Sequence, residues 1–207
     1  MAFARDRDLL AIEPAVFRDV SWSGQERARG LDAVVTGTAL VSASSDFEGA
    51  AVEAGQVVVV SNIVLEILAR VSATELTVSL MRNTANDAPI APGFSASAKP
   101  FEIHTFMPQV EIVHSQVMWG LGLNLGDEAK VLNPWALTLV EALGGLWMVY
   151  SAAAAMTGYS GAIAIRAEMY RERVGLERSR ASVQIDTDGD GEADVVRRLN
   201  TIRFARA

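Results

Sequence analysis

GQVVVVSNIVLEILARVSATELTVSLM, residues 55–81, consists of three short runs of Val, Ile, Leu and Thr, parted first by Ser61 and Asn62 and again near Ser72. Short runs rich in β-branched residues and bounded by small polar ones read as strands, and two polar residues between such runs read as a tight hairpin turn. The same texture appears upstream in DAVVTGTALVSA, residues 32–43, and an acid-containing loop over residues 44–55 joins it to the rest. Residues 30–82 are therefore expected to form an antiparallel β module, a small barrel or curled sheet.

The flanks change period. Asp6 to Glu13 carries Leu9, Leu10 and Ile12 among charges and meets Pro14, which favours a helix stop. Val16, Phe17, Val20 and Trp22 continue as a second helical turn, until SGQERARG breaks the pattern. Residues 83–100, NTANDAPIAPGFSASAKP, hold three of the six prolines and few large apolar side chains, so a loop is expected there. Thr105 then offers an N-cap with Pro108 in the first helical turn, and Phe106, Val110, Val113, Val117 and Leu121 recur as one stripe.

Asn133-Pro134 opens a second long helix with Ala136, Leu139, Val140, Leu143, Trp147 and Tyr150 on its face; Gly144 and Gly145 in its middle imply a bend or the close approach of another backbone. A third, amphipathic helix follows residues 158–161, with Ile163, Ala167, Tyr170 and Val174 on one side. Ser182–Ile185 and Val195–Phe204 flank an aspartate-rich turn and predict a terminal hairpin. The fold class expected is α+β: a helical body with an inserted antiparallel β module and a C-terminal β-hairpin arm. The divisions are 1–29 as an N-terminal helical segment of the body, 30–82 β module, 83–100 loop, 101–180 helical body and 181–207 arm.

With 207 residues, half of them hydrophobic, the chain can bury a substantial core. Lys and Arg total 18 against 25 Asp and Glu, a net charge of −7, which argues against tight binding to nucleic acid through phosphate neutralisation. No cysteine is present, excluding disulfides, thiolate nucleophiles and cysteine zinc sites. MAFARDRDLLAIEP interleaves charges with apolar residues and does not read as a secretory signal. PWALTLVEALGGLWMVYSAAAAM, residues 134–156, is long enough to span a membrane, yet Glu141 sits near its centre and the alanines add little hydrophobic drive. A helix buried by its own fold or by neighbouring subunits is the expectation, with a single-span membrane protein as an alternative.

Chemistry is sparse. His104 and His114, ten positions apart, fall on different faces of a continuous helix and are expected at the surface or half-buried; Ser115 beside His114 points elsewhere. No G-x-S-x-G elbow, H-E-x-x-H helix or phosphate loop occurs. Trp119, Trp135 and Trp147 read as core or interface packing. Asp186, Asp188, Asp190 and Asp194 with their glycines begin like a calcium loop, but Arg197 stands at the twelfth position where a bidentate Glu would close it. No catalytic, cofactor or metal residue is assigned, and an enzyme is not expected. Calcium at that turn is kept as an alternative interaction-module reading. Arg171, Arg173, Arg178, Arg180, Arg197, Arg198, Arg203 and Arg206 make the C-terminal quarter basic, which suits docking on an acidic protein surface.

Four phrases, RDLLAIEPAVFRDVSW, ATELTVSLMR, HTFMPQVEIVHSQVMWGLGL and VQIDTDGDGEADVVRRLNTIRFAR, in this order, resemble the head-to-tail adaptor (connector) proteins of tailed bacteriophages and phage-derived gene transfer agents. The resemblance implies a virion structural protein of the neck, made in the host cytoplasm. It would form a ring, generally dodecameric, between the portal protein and a stopper or tail-completion protein. DNA would pass through the lumen without sequence-specific binding, and no membrane or cofactor is implied. An acidic chain suits a channel along which DNA slides.

Overall fold

The β module grows from strands whose inward residues are apolar and whose turns are the ones the chain can afford sterically. In the computed structural model, which describes residues 1–199, β1 (Gln25–Thr36), β2 (Ala39–Val41), β3 (Val57–Val60), β4 (Ile63–Arg70), β5 (Glu75–Ser79) and β6 (Ala96–Thr105) close into a barrel ordered β1-β2-β5-β4-β3-β6. Val60 pairs with Ile63 across Ser61–Asn62, both at positive φ (48° and 69°), the mirror-image turn that matches strand twist. The interior is filled by Ala33, Val35, Leu40, Val58, Val60, Leu65, Ile67, Leu76, Val78, Phe101 and Ile103, with Phe47 and Val52 from the β2–β3 loop closing it. Gly30 sits opposite Phe101, where an added Cβ would lie 2.6 Å from the ring. A glycine there lets the strand pass over the aromatic.

The chain is α+β, and three expectations about this module are corrected. Residues 83–100 are not all loop, since β6 begins at Ala96 and pairs with both β1 and β3. Alanine, serine, lysine and proline carry little strand propensity; over residues 96–100 the waiting edge of β1 supplies the pairing that propensity does not, and β3 joins from Phe101. QERARG does break the helical pattern, but as the first half of β1, so the strands begin before residue 30. Residues 5–106 form one compact unit that includes α1 (Asp6–Ile12) and α2 (Val16–Asp19), whereas the sequence reading assigned residues 1–29 to the helical body.

Thr105 ends β6 and does not cap a helix. Its hydroxyl donates to Asp6 Oδ2 at 2.6 Å, and the Phe106 amide donates to Asp6 Oδ1 at 2.9 Å. Asp6 is fully buried, and burial pushes its carboxyl up to about 7 against the pull of these two hydrogen bonds. A second buried carboxylate, Glu66, is held by Arg82 at 2.5 Å and by Arg7 of α1 at 3.1 Å.

Residues 1–4 and, among those described, 107–199 form the other unit. It contains α3 (Met107–Gly120), α4 (Trp135–Met156), α5 (Gly161–Arg180) and the hairpin of β7 (Ser182–Ile185) and β8 (Val195–Arg198). The α3 stripe is buried at Val110, Val113 and Val117, continuing to Leu121. At Gly144 an added Cβ would lie 2.6 Å from Val113 Cγ1, so this glycine permits α3 and α4 to touch. α4 and α5 are clamped by stacked Tyr150 and Tyr170, centroids 5.6 Å apart, with Arg166 and Arg173 over the two rings.

The expected face of α4 is too narrow. Leu139 is 42% exposed, while Leu137, Leu146 and Val149 are buried, because α3 and α5 cover the helix on more than one side. By length and composition α4 alone, among the described residues, is apolar enough to cross a membrane, and 61% of that window is buried within the protein.

Candidate functional site

The C-terminal hairpin is held to the helical unit along one edge. Val131 bridges Ile185, the Leu132 amide donates to Gln184 O at 3.0 Å, and the Asp186 amide donates to Lys130 O at 2.9 Å. Asn133, expected only as a helix-start signal, is a two-way clasp: its Nδ2 donates to Ser182 O at 2.9 Å and its Oδ1 accepts the Gln184 amide at 2.8 Å. Val183 and Ile185 then drop into the cluster formed by Val113, Val117, Leu137 and Val140. The expected strand Val195–Phe204 is observed through Arg198; Phe204, Arg203 and Arg206 lie outside the described residues.

At the tip the aspartates serve the backbone. Asp186 accepts the Gly189 amide at 2.6 Å and the Gly191 amide at 2.8 Å, with both glycines at positive φ (86° and 85°). These two donors hold its carboxyl below the usual range. The hydroxyl and amide of Thr187 do the same for Asp194, at 2.6 and 2.7 Å. Asp186, Asp188 and Asp194 bring one oxygen each within 4.8 Å of one another. Asp190 stands outside that group and accepts the Glu192 amide at 2.8 Å. Oxygens so grouped suit a hard cation such as calcium, yet the twelfth residue, Arg197, is turned away and donates to Leu121 O.

That contact builds one wall of an open groove of about 560 Å³ lined by Trp119, Gly120, Leu121, Gly122, Val196, Arg197 and Arg198. Gly122 is required there, since it has φ +66° and an added Cβ would come within 2.6 Å of Arg197 Nη1. Trp119 is 68% exposed and Val196 57%, and Arg198 is exposed beside them. Other arginines of the basic quarter are engaged on α5: Arg171 with Glu168, Arg180 with Glu177 at 3.1 Å, and Arg173 over Tyr170. Residues 119–122 and 196–198 lie far apart in sequence, so only the fold joins them.

Of the core or interface packing expected for the tryptophans, Trp119 and Trp135 (71% exposed) are placed for the interface role alone, and Trp147 is half-buried. The expectation that both histidines lie at the surface or half-buried is corrected. His104 is 6% exposed on β6, with Nε2 3.2 Å from Glu102, and His114 is fully buried on α3. His114 Nδ1 lies 2.8 Å from Glu141 Oε1 and Nε2 3.1 Å from Glu128 Oε1. Glu141 Oε2 also accepts the amides of Phe3 (2.7 Å) and Ala4 (3.0 Å), so the one charge in the apolar helix is the anchor of the N-terminal residues. Burial raises the Glu141 carboxyl, opposed by His114 and these amides. The Ser115 hydroxyl donates to Glu111 O and not to His114.

No protein-family model, no curated protein and no solved structure matches the chain.

Proposed function

We propose that the chain is a structural protein of a phage-type virion neck, an adaptor whose copies form a ring between portal and stopper or tail. The observation that carries this reading is the C-terminal hairpin. It is clasped along one edge by Asn133 and presents Val196 and Arg198 opposite Trp119 of α3 around an open groove. Exposed aromatic and arginine side chains beside a groove are the composition of protein contact surfaces. In a chain of net charge −7, the arginines also select an acidic partner. The order of sequence phrases that resembles phage adaptors names that partner as the portal.

The test is co-sedimentation of the full chain with the portal of the same phage. Trp119→Ala combined with Arg198→Glu is expected to abolish binding while leaving the melting temperature within a few degrees of the parent. Undiminished binding by that variant would remove the hairpin groove from the account.

A second reading is a calcium-binding interaction module, favoured by the three grouped carboxylates of Asp186, Asp188 and Asp194. Calcium that bound there would raise the melting temperature of chelator-treated protein in proportion to the logarithm of its concentration. An unchanged melting temperature eliminates it.

A further inference from the structure

From Val131 through Ile165 the only charged side chain is Glu141, and it is fully buried. The outer surface of α4 and of the turn into α5 therefore carries no charge, in a chain where 21% of residues are Asp, Glu, Lys or Arg. Burial divides this surface. No residue from Val140 to Ser151 is exposed, but both ends of α4 are. At the N-terminal end stand Trp135 (71% exposed) and Leu139 (42%); at the C-terminal end stand Met156 (73%), Tyr159 (71%) and, one turn into α5, Ile165 (71%). With a rise of 1.5 Å per residue, Leu139 and Met156 are roughly 25 Å apart along the axis.

Two apolar patches at opposite ends of one rigid helix cannot be covered by each other within a chain. A two-fold dimer could set each patch on the partner's opposite one only with the two helices antiparallel and side by side, and the covered middle of α4, where no residue from Val140 to Ser151 is exposed, offers no surface for that pairing. They suit a head-to-tail contact, in which one end of each copy meets the other end of the next, the arrangement that closes rings. A bilayer fits them less well. The middle of α4 is enclosed by protein, Thr157 and Ser160 sit at the turn, and Glu168, Arg171, Glu172 and Arg173 are exposed on α5 near it. We infer that the Met156–Tyr159–Ile165 end of one copy docks on the Trp135–Leu139 end of the next. This rests on the adaptor reading for its ring, and goes beyond it by assigning the two faces.

The absence of cysteine makes the test direct. Leu139→Cys and Met156→Cys are placed in the full chain separately and together, and treated with a bismaleimide shorter than their separation. The doubly substituted chain is expected to give a ladder of cross-linked multimers. Each single variant alone is expected to give none above a control cysteine elsewhere on the surface, and an equimolar mixture of the two is expected to give dimers only. Adding Tyr159→Glu to the doubly substituted chain should abolish the ladder. Dimers of one single variant as abundant as those of the mixture would overturn the head-to-tail assignment, as would a ladder that survives Tyr159→Glu. Sedimentation with phosphatidylcholine–phosphatidylglycerol vesicles, lost on Tyr159→Glu, would overturn it in favour of a lipid surface. Rings seen by electron microscopy without the ladder would sink this inference and leave the adaptor reading standing. A ladder from protein that never binds portal would do the reverse.

Discussion

Each unit of this protein buries a carboxylate at 0% exposure, and the two are kept in different ways. In the barrel unit Asp6 is met by neutral donors, the Thr105 hydroxyl and the Phe106 amide, and burial wins, so the carboxyl titrates near 7. In the helical unit Glu141 is met by an imidazole as well as by two amides, and His114 reaches on to Glu128. Burial raises both carboxyls, and Glu141 alone has a titratable partner, the imidazole that links it to Glu128. The lesson is that a buried acid reports its surroundings. Where the partner can carry charge it becomes a structural anchor, and where the donors are neutral it becomes a pH-dependent cost.

The largest effect is expected from breaking the anchored side. Glu141→Ala leaves His114 and the amides of Phe3 and Ala4 buried without their acceptor, and should cost about 3 kcal/mol. Hydrogen exchange should locate the loss in residues 1–4 and in α3 and α4. Protection that stays unchanged in those segments would refute the anchoring role.

Next comes the pH response of Asp6. Its folded carboxyl titrates at about 7, above the ordinary 3.8, so the unfolded chain ionises first as pH rises. The barrel's stability from this group is therefore greatest below about pH 4, falls between pH 4 and 7, and is flat above. The total change is on the order of 4 kcal/mol. Asp6→Asn keeps an acceptor for the Phe106 amide and a donor for Thr105, and should flatten that slope in urea unfolding followed from pH 4 to 8. An unchanged slope would move the titration to another group.

Gly144→Ala sharpens the contrast in packing. Its Cβ would meet Val113 at 2.6 Å, an overpacking cost of about 1–3 kcal/mol that a gain of about 1 kcal/mol in helix propensity partly offsets. A net loss of melting temperature of a few degrees is expected, and a gain would show that α3 yields readily. The smallest effect belongs to the hairpin tip. Asp186→Ala removes the acceptor for the Gly189 and Gly191 amides and should speed their exchange without shifting the global melt.

These features differ in how far the sequence displays them. The Ser61–Asn62 hairpin is plain because two β-branched runs stop on either side of two polar residues. The α3 stripe is plain because its spacing is helical throughout. β6 is hidden, since residues 96–100 are Ala, Ser, Ala, Lys and Pro, and only the open edge of β1 makes a strand of them. The face of α4 is misread because a helix covered on several sides has no single stripe to find. Glu141 carried a signal of its own: one acid in an uncharged run needs a buried partner, and His114 lies on the preceding helix. The groove carried none, because Trp119–Gly122 and Val196–Arg198 meet only once Asn133 has clasped the hairpin in place.

The proposal of a ring-forming adaptor is met most directly by electron microscopy of the purified full chain mixed with a portal protein from the same source. The account predicts a ring of this protein, with an open central hole, stacked on the portal in stoichiometric amount. Portal rings that remain bare at micromolar concentrations of the intact, folded chain would contradict it.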